Sequence, residues 1–344
     1  IINLPSGRKM KVYFDKADGL KTGDEIIVAI HGLGKSYSHL KTYTETSLSL
    51  GKSVFGLDLQ GHGETFKLNP KLSYRTTIPV EYNVEDVIFV LKELSKTYKI
   101  RIAAHSYGAG VALKAISELH STGIRLPITK VILMSSLVKN LDTYYADAMM
   151  SGQLVQVAGD LANPALGLMG VPAEWIKMYD SIVNQALFNG IAIPQQARDT
   201  MYSMMPAMTM WREWLSAGPN AAANLLMSPA HMIANASIAE IAAWQKNPML
   251  LTQLIITNIA LINGARDLNF LDYSKQLALP KGLEYKVVMA LNDNVVPNTI
   301  SQEFVFRMQK AGHKVTTQTL PGENHYYLYD SASMKKYFKS IVLD

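Results

Sequence analysis

Short apolar runs, separated by polar or glycine-rich stretches, recur along most of the chain. The run from Glu25 to Ile30 is nearly all β-branched, which is typical of a strand that is covered on both faces. The same pattern predicts further strands over residues 1–4, 9–14, 52–57, 101–104, 128–134, 285–290 and 314–319.

Helical periodicity follows several of these strands. Within residues 84–97, Val84, Val87, Leu91 and Leu94 are spaced by three or four, so one face of the predicted helix is apolar. Further helices are predicted over residues 38–50, 111–116, 299–310 and 332–341, and residues 66–80 are predicted to form a polar loop. Because strands and helices alternate, we predict an α/β fold whose mainly parallel central sheet has helices on both faces.

The alternation stops in the middle of the chain. Between residues 137 and 276 no strand pattern is evident, and 11 of the 17 methionines fall between Met149 and Met232. Prolines at positions 164, 172, 194, 206 and 229 divide this region into short helical segments. We therefore predict two domains, an α/β core formed by residues 1–136 and 280–344 and a helical, methionine-rich insertion over residues 137–279.

Composition narrows the chemistry that the chain can perform. Its 344 residues include no cysteine, which excludes disulfides, thiolate nucleophiles and zinc–thiolate sites. The net charge of +5 comes from scattered residues, and no basic run suggests a nucleic-acid groove. No ligand-spaced histidines and no glycine-rich loop of the dinucleotide kind are found, so we expect neither a metal nor a cofactor.

The sequence says little about location. The longest apolar run, residues 249–262, is interrupted by four polar residues, so no membrane span is predicted, and a transient contact with a lipid surface stays open. The chain opens on Ile1 rather than methionine, as after removal of a leader, which favours a secreted or periplasmic protein without excluding the cytoplasm. The oligomeric state is not indicated.

Residues 101–110 combine a strand, a turn and a helix without a linker. A strand that turns directly into a helix strains its central residue and needs small residues two positions before and two positions after it. Those positions are Ala104 and Gly108, with Ser106 between them. Ser106 is therefore a candidate nucleophile, which would need a base to take its proton and a third group to orient that base.

With this elbow, three further loops resemble those of the α/β-hydrolase superfamily, in the same order along the chain. They are His31-Gly32-Leu33-Gly34, the acidic loop over residues 290–297 and the loop over residues 320–325. The resemblance covers nearly everything outside the insertion, although Ala104 stands where the family usually has glycine. It implies the α/β-hydrolase fold, with the insertion forming a helical cap over the active site.

The resemblance also implies roles for individual residues. Ser106 would be the nucleophile, His325 the base, and Asp293 the acid that orients the base. Asp293 lies 32 residues before His325, which leaves room for the one helix and one strand that the fold inserts there. Asp267, 58 residues before His325, and Asp142, after the preceding strand, are the alternative acids.

The family pattern places the two backbone donors of an oxyanion hole at the N–H groups of Leu33 and Tyr107. His105, which precedes Ser106, and His62, in the loop over residues 58–63, are expected to be structural neighbours of the site. His105 is in addition a candidate substrate contact.

The cap is expected to select the substrate. Methionine is flexible and polarizable, and methionine-rich surfaces accept apolar partners of varied shape. We hypothesise that a group of methionine and tryptophan side chains lines an acyl-chain or aromatic pocket, the alternative being that they pack only the core of the cap itself. These residues are Met201, Met204, Met205, Met208, Trp211 and Trp214.

These observations favour a serine hydrolase that cleaves a hydrophobic carboxylic ester, of the lipase, lysophospholipase or carboxylesterase type. Relatives that open epoxides or remove halides carry aspartate where this chain has Ser106, so acyl transfer to water is favoured. Two alternatives stay open. One is a carbon–carbon bond hydrolase or lyase that uses the same triad, and the other is a non-catalytic member of the fold that only binds a ligand.

Overall fold

The computed structural model describes residues 1–74, 78–138, 268, 278–293, 296, 298–329 and 331–343. Predictions that concern other residues, including nearly all of the cap, lie outside this part of the chain. Within the part that is described, no helix has the length and apolar character needed to cross a membrane.

A central sheet organises the described core. The strands are β1 (Ile2–Asn3), β2 (Lys9–Met10), β3 (Val12–Asp15), β4 (Glu25–Ile30), β5 (Val54–Leu57), β6 (Lys99–His105), β7 (Ile128–Met134), β8 (Glu284–Ala290) and β9 (Lys314–Leu320). Seven of them form one sheet in the order β3-β5-β4-β6-β7-β8-β9. In that sheet β3 is antiparallel to β5, and every other neighbouring pair is parallel. The short strands β1 and β2 pair with each other.

Helices follow most of the strands. They are α1 (Lys41–Ser49), α2 (Gly63–Leu68), α3 (Val80–Ser95), α4 (Tyr107–Ser121), α5 (Asn298–Lys310) and α6 (Ser331–Phe338). Shorter helical turns cover Tyr37–Leu40, Pro70–Tyr74, Tyr327–Tyr329 and Lys339–Leu343.

Both faces of the sheet are covered, as strand β4 illustrates. Successive side chains of a strand point to opposite faces. Ile27 and Ala29 belong to a hydrophobic cluster that includes Tyr43 of α1 and Phe338 of α6, whose rings lie 5.1 Å apart. Ile30 points to the other face, where its Cγ2 atom lies beneath Gly108 of α4. Burial on both faces explains why this strand has no polar alternation.

This architecture confirms the predicted α/β fold with a mainly parallel sheet. Most predicted strands of the sheet agree with the observed ones to within two residues, but the single strand expected over residues 9–14 is broken at Lys11. The N–H of Lys11 donates to Thr65 Oγ1 over 2.8 Å, and its carbonyl accepts the N–H of Asp58 over 3.0 Å. These contacts use the backbone groups of Lys11, so β2 and β3 become separate strands.

The predicted polar loop over residues 66–80 is wrong at its beginning, where α2 forms. The carboxylate of Asp58 accepts the N–H of Glu64 over 2.9 Å and the N–H of Tyr37 over 2.7 Å, so it holds the first turn of this helix in place. A carboxylate favours a helix N-terminus because it satisfies N–H groups that have no intrahelical partner. The partner lies outside the helix itself, and the local apolar pattern therefore gave no sign of α2.

Candidate active site

Ser106 stands at the junction between β6, which ends at His105, and α4, which begins at Tyr107. Its backbone has φ 51° and ψ −120°, a conformation with positive φ that residues with a side chain rarely adopt. Its N–H donates to the carbonyl of Met134 over 2.9 Å, and its carbonyl accepts the N–H of Leu137 over 3.1 Å. Contacts to the end of β7 therefore maintain the strained turn that the sequence predicts here.

The small residues around Ser106 are required by contacts with β4. A Cβ atom added to Gly108 would lie 2.3 Å from the carbonyl oxygen of His31 and 2.8 Å from Ile30 Cγ2. On the other side of the elbow, Ala104 is fully buried and is paired with Ile30 in the parallel ladder. The elbow can thus approach β4 closely only because both flanking side chains are small.

Replacing Gly108 with alanine is expected to lower the free energy of unfolding by about 1–3 kcal/mol, because the new methyl group overlaps a backbone oxygen that cannot turn away. Denaturant-induced unfolding measures this change. Gly282→Ala is the matched control, since a Cβ atom there meets nothing within 4 Å. Equal stability of the two variants would contradict the close contact between α4 and β4.

The loop after β4, residues 31–36, lies directly against the elbow; it is called the His-Gly loop below. A Cβ atom on Gly32 would lie 3.1 Å from Ser106 Cβ and 2.9 Å from His105 Nδ1. Among the described residues, neither the N–H of Leu33 nor the N–H of Tyr107 has a hydrogen-bond acceptor. The N–H of Tyr107 also belongs to the first turn of α4, where the helix dipole favours negative charge. Both N–H groups thus have no acceptor within the described part of the chain, and their role as oxyanion donors stays a prediction.

The first residue of the His-Gly loop, His31, is buried, and its side chain stabilises the loop through two hydrogen bonds. His31 Nδ1 donates to the carbonyl of Gly32 over 2.8 Å, and His31 Nε2 accepts the N–H of Leu59 over 3.1 Å. Burial lowers the pKa of His31, so its ring is neutral, as this bonding pattern requires. The ring of His62 packs against it with 4.9 Å between centroids. His62 thus packs against the residue that stabilises the His-Gly loop, in agreement with its predicted place as a structural neighbour of the site.

His325 and Asp293 form a buried pair. The distance from His325 Nδ1 to each carboxylate oxygen of Asp293 is 3.0 Å, and both side chains are at most 3% exposed. Burial by itself raises the pKa of Asp293, but the His325 ring, the Ser135 hydroxyl and the N–H of Val296, which donates over 2.7 Å, outweigh it and lower that pKa below its ordinary value. The carboxylate therefore stays ionised and holds the Nδ1–H of the imidazole.

His105 connects the pair of His325 and Asp293 to the elbow. Its Nε2 donates to the carbonyl oxygen of His325 over 2.9 Å, and the two rings lie 4.8 Å apart. Burial, together with the neighbouring His325 ring, lowers the pKa of His105 to about 3, so the ring of His105 is neutral. This bond therefore holds the loop that carries His325 against the residue that precedes Ser106 in the chain. Its other nitrogen also bonds to a protein group, and a contact with substrate stays a prediction.

Two residues of the site were missed by the sequence analysis. Ser135, which follows β7 with φ 44°, lies against Asp293. Strand order could have indicated it, because the carboxyl ends of the neighbouring parallel strands β7 and β8 meet at one edge of the sheet. Tyr329 contacts both Gly32 and His105 through its hydroxyl. No sequence motif marks this tyrosine among the 17 of the chain.

Several predicted site residues lie outside the described residues. They are the alternative acids Asp142 and Asp267 and the predicted cap contacts Met201, Met204, Met205, Met208, Trp211 and Trp214. Among the residues that are described, no group of three or more His, Cys, Asp or Glu side chains is arranged to hold a metal ion.

Comparison with known proteins gives one family. A family model described as the alpha/beta hydrolase family matches residues 27–335. The sequence has no significant match among curated proteins.

Solved structures with a similar fold include three enzymes of low sequence identity. An alpha/beta hydrolase enzyme from a Medee basin deep-sea metagenome library is 12% identical, with 97% of this chain and 94% of that chain covered and a TM-score of 0.55. An esterase from Exiguobacterium antarcticum is 14% identical, with 99% and 97% covered and a TM-score of 0.53. A lipase in its open form is 13% identical, with 99% and 96% covered and a TM-score of 0.55.

Proposed function

Because the chain belongs to the alpha/beta hydrolase family, we propose that it is a serine hydrolase that cleaves hydrophobic carboxylic esters through an acyl-enzyme on Ser106. The observation that carries this proposal is the buried pair of His325 and Asp293 beside the strained elbow, with 3.0 Å between His325 Nδ1 and each carboxylate oxygen. A histidine oriented by a carboxylate next to a serine is the arrangement that activates a serine hydroxyl.

In this proposal, the pairing with Asp293 makes Nε2 of His325 the base. Since Nδ1–H donates to Asp293, the neutral ring keeps its lone pair on Nε2. Nε2 takes the hydroxyl proton of Ser106 as Oγ forms a bond to the acyl carbon of the ester. The carbonyl oxygen becomes an oxyanion, which the N–H groups of Leu33 and Tyr107 stabilise by about 3 kcal/mol for each donor.

Collapse of this intermediate completes the acylation. The imidazolium of His325 gives its proton to the alcohol oxygen as the ester C–O bond breaks, and the alcohol leaves. A water molecule then attacks the acyl-enzyme while Nε2 of His325 takes one of its protons. The imidazolium returns this proton to Ser106 Oγ as the bond between Oγ and the acyl carbon breaks, and the carboxylic acid is released. Asp293 remains ionised throughout, which its lowered pKa favours, and stabilises the imidazolium in both halves of the cycle.

The substrate class follows from the methionine-rich composition of the predicted cap, which favours an apolar acyl group. An esterase and a lipase share the fold, so ester cleavage is the reaction class to test first. The proposal therefore covers lipase, lysophospholipase and carboxylesterase activity without choosing among them.

Hydrolysis of p-nitrophenyl esters from acetate to palmitate tests this function. We expect kcat/KM to rise by about threefold to fourfold for each added methylene until the acyl pocket is full, because each buried CH₂ contributes about 0.8 kcal/mol. Release of p-nitrophenolate measures the rate. If no ester in the series is hydrolysed, the proposal is wrong, and cleavage of a diketone under the same conditions would replace it with carbon–carbon bond hydrolysis.

A further inference from the structure

The hydroxyl of Tyr329 lies between two loops of the site. It is 3.3 Å from the backbone nitrogen of Gly32 and 2.9 Å from Nδ1 of His105. The rings of Tyr329 and His105 meet edge to face, with 5.1 Å between centroids and 83° between planes. Tyr329 itself ends the short helical turn that follows His325. One side chain therefore touches the His-Gly loop and the residue that precedes Ser106.

The directions of these hydrogen bonds follow from the groups involved. The carbonyl of His325 can only accept, so His105 Nε2 must be the donor in the 2.9 Å bond between them. In a neutral imidazole the other nitrogen is then an acceptor, and the hydroxyl of Tyr329 must donate to His105 Nδ1. The tyrosine oxygen is left to accept the N–H of Gly32. Every donor in this series of hydrogen bonds thus has an acceptor, and only one arrangement of the protons satisfies all of them.

The protonation states agree with this arrangement. His105 is 1% exposed, and its pKa of about 3 keeps it neutral at ordinary pH. Burial raises the pKa of Tyr329, so its hydroxyl keeps the proton that it donates. When every polar group of a buried hydrogen-bond network has a partner, the network holds its side chains in one geometry.

These hydrogen bonds involve residues at or next to three groups that the proposed reaction uses. Gly32 precedes Leu33, whose N–H is a proposed oxyanion donor, and His105 precedes Ser106. The remaining bond ends on the backbone of His325 itself. We infer that Tyr329 is a positioning residue, which holds the donor of Leu33, the nucleophile and the base at their mutual distances. This inference rests on the proposed function.

Loss of the hydroxyl has a specific kinetic consequence. It would leave the N–H of Gly32 and Nδ1 of His105 without partners, and the His-Gly loop would no longer be held against the elbow. The oxyanion exists only in the transition state, so misplacing its donor lowers kcat and leaves the binding of the ground-state ester nearly unchanged. A purely structural role for Tyr329 would instead reduce the amount of folded enzyme, with kcat per active site unchanged.

Tyr329→Phe tests the inference, with Tyr285→Phe as the matched control. Tyr285 also loses one hydrogen bond, from its hydroxyl to the carbonyl of Pro280, and lies outside the site. Active sites are counted by titration with a fluorophosphonate, and kcat and KM are measured with the best p-nitrophenyl ester. For Tyr329→Phe we expect kcat per titrated site to fall by about 10- to 100-fold with KM within about twofold, and for Tyr285→Phe neither constant to change.

An unchanged kcat per titrated site in Tyr329→Phe would overturn the inference, and so would a rise in KM at constant kcat, which would indicate a substrate contact. A wild-type protein that neither reacts with the fluorophosphonate nor turns over esters would instead overturn the proposed function, and the inference with it. The two failures are therefore distinguishable.

A double-mutant cycle with His105→Gln gives a second test. If Tyr329 acts through His105, the loss of kcat in the double variant should be no greater than about the larger of the two single losses. The reason is that either substitution alone already removes the hydrogen bond between Tyr329 and His105. Losses that multiply would show that the two side chains act independently and would contradict the inference.

Discussion

Replacing Ser106 with alanine is expected to reduce ester turnover by about 10⁴- to 10⁶-fold, because no other group of the described site can form the acyl-enzyme. The fold should remain, since the strained elbow is held by backbone bonds to Met134 and Leu137 that do not involve the side chain. Initial rates on the best p-nitrophenyl ester, together with circular dichroism to verify folding, measure the effect.

Ser121→Ala is the matched control for this substitution. Ser121 lies at the opposite end of α4, where its hydroxyl bonds to the carbonyl of Glu118 at the surface. Its removal should leave turnover at the wild-type value. Retention of more than about one hundredth of the activity by Ser106→Ala would mean that the nucleophile is another group.

Asp293→Asn is expected to reduce kcat by about 10³- to 10⁴-fold, by changing the tautomer of His325 rather than the fold. An asparagine can still accept the N–H of Val296 through Oδ1, but its amide nitrogen replaces Oδ2, which lies 3.0 Å from His325 Nδ1, and donates there instead of accepting. To avoid two opposed donors, the imidazole must place its proton on Nε2, and it then cannot take the proton of Ser106.

The alternative acids provide the controls for this prediction. Asp267→Asn and Asp142→Asn should retain turnover, since the structure pairs His325 with Asp293. A loss of activity in either of them, with Asp293→Asn remaining active, would show that the acid is assigned incorrectly.

The fold could be predicted from the sequence where burial is strongest. β4, β7 and β8 are covered on both faces, so their continuous apolar runs locate them to within a residue. The prediction failed where a backbone group finds its partner far along the chain. Lys11 breaks a strand because it bonds to Thr65 and Asp58, and α2 forms because Asp58 accepts the N–H of Glu64. Local periodicity contains no information about such contacts.

The candidate site shows the same division. Ser106 was predicted from the local requirement for small residues, because the strained backbone that it occupies restricts its immediate neighbours. The pairing of Asp293 with His325 followed from a resemblance that fixes the order of the loops. Tyr329 was not predicted, since its importance depends on two hydrogen bonds to residues more than 200 positions away.

The most direct test of whether Ser106 is the nucleophile that becomes acylated is to map the adduct of a fluorophosphonate by mass spectrometry of peptides. These reagents react with serines that a neighbouring base activates. We expect one adduct per chain, located on Ser106 and absent from Ser106→Ala. An adduct on another residue, or no adduct on the folded wild-type protein, would contradict it.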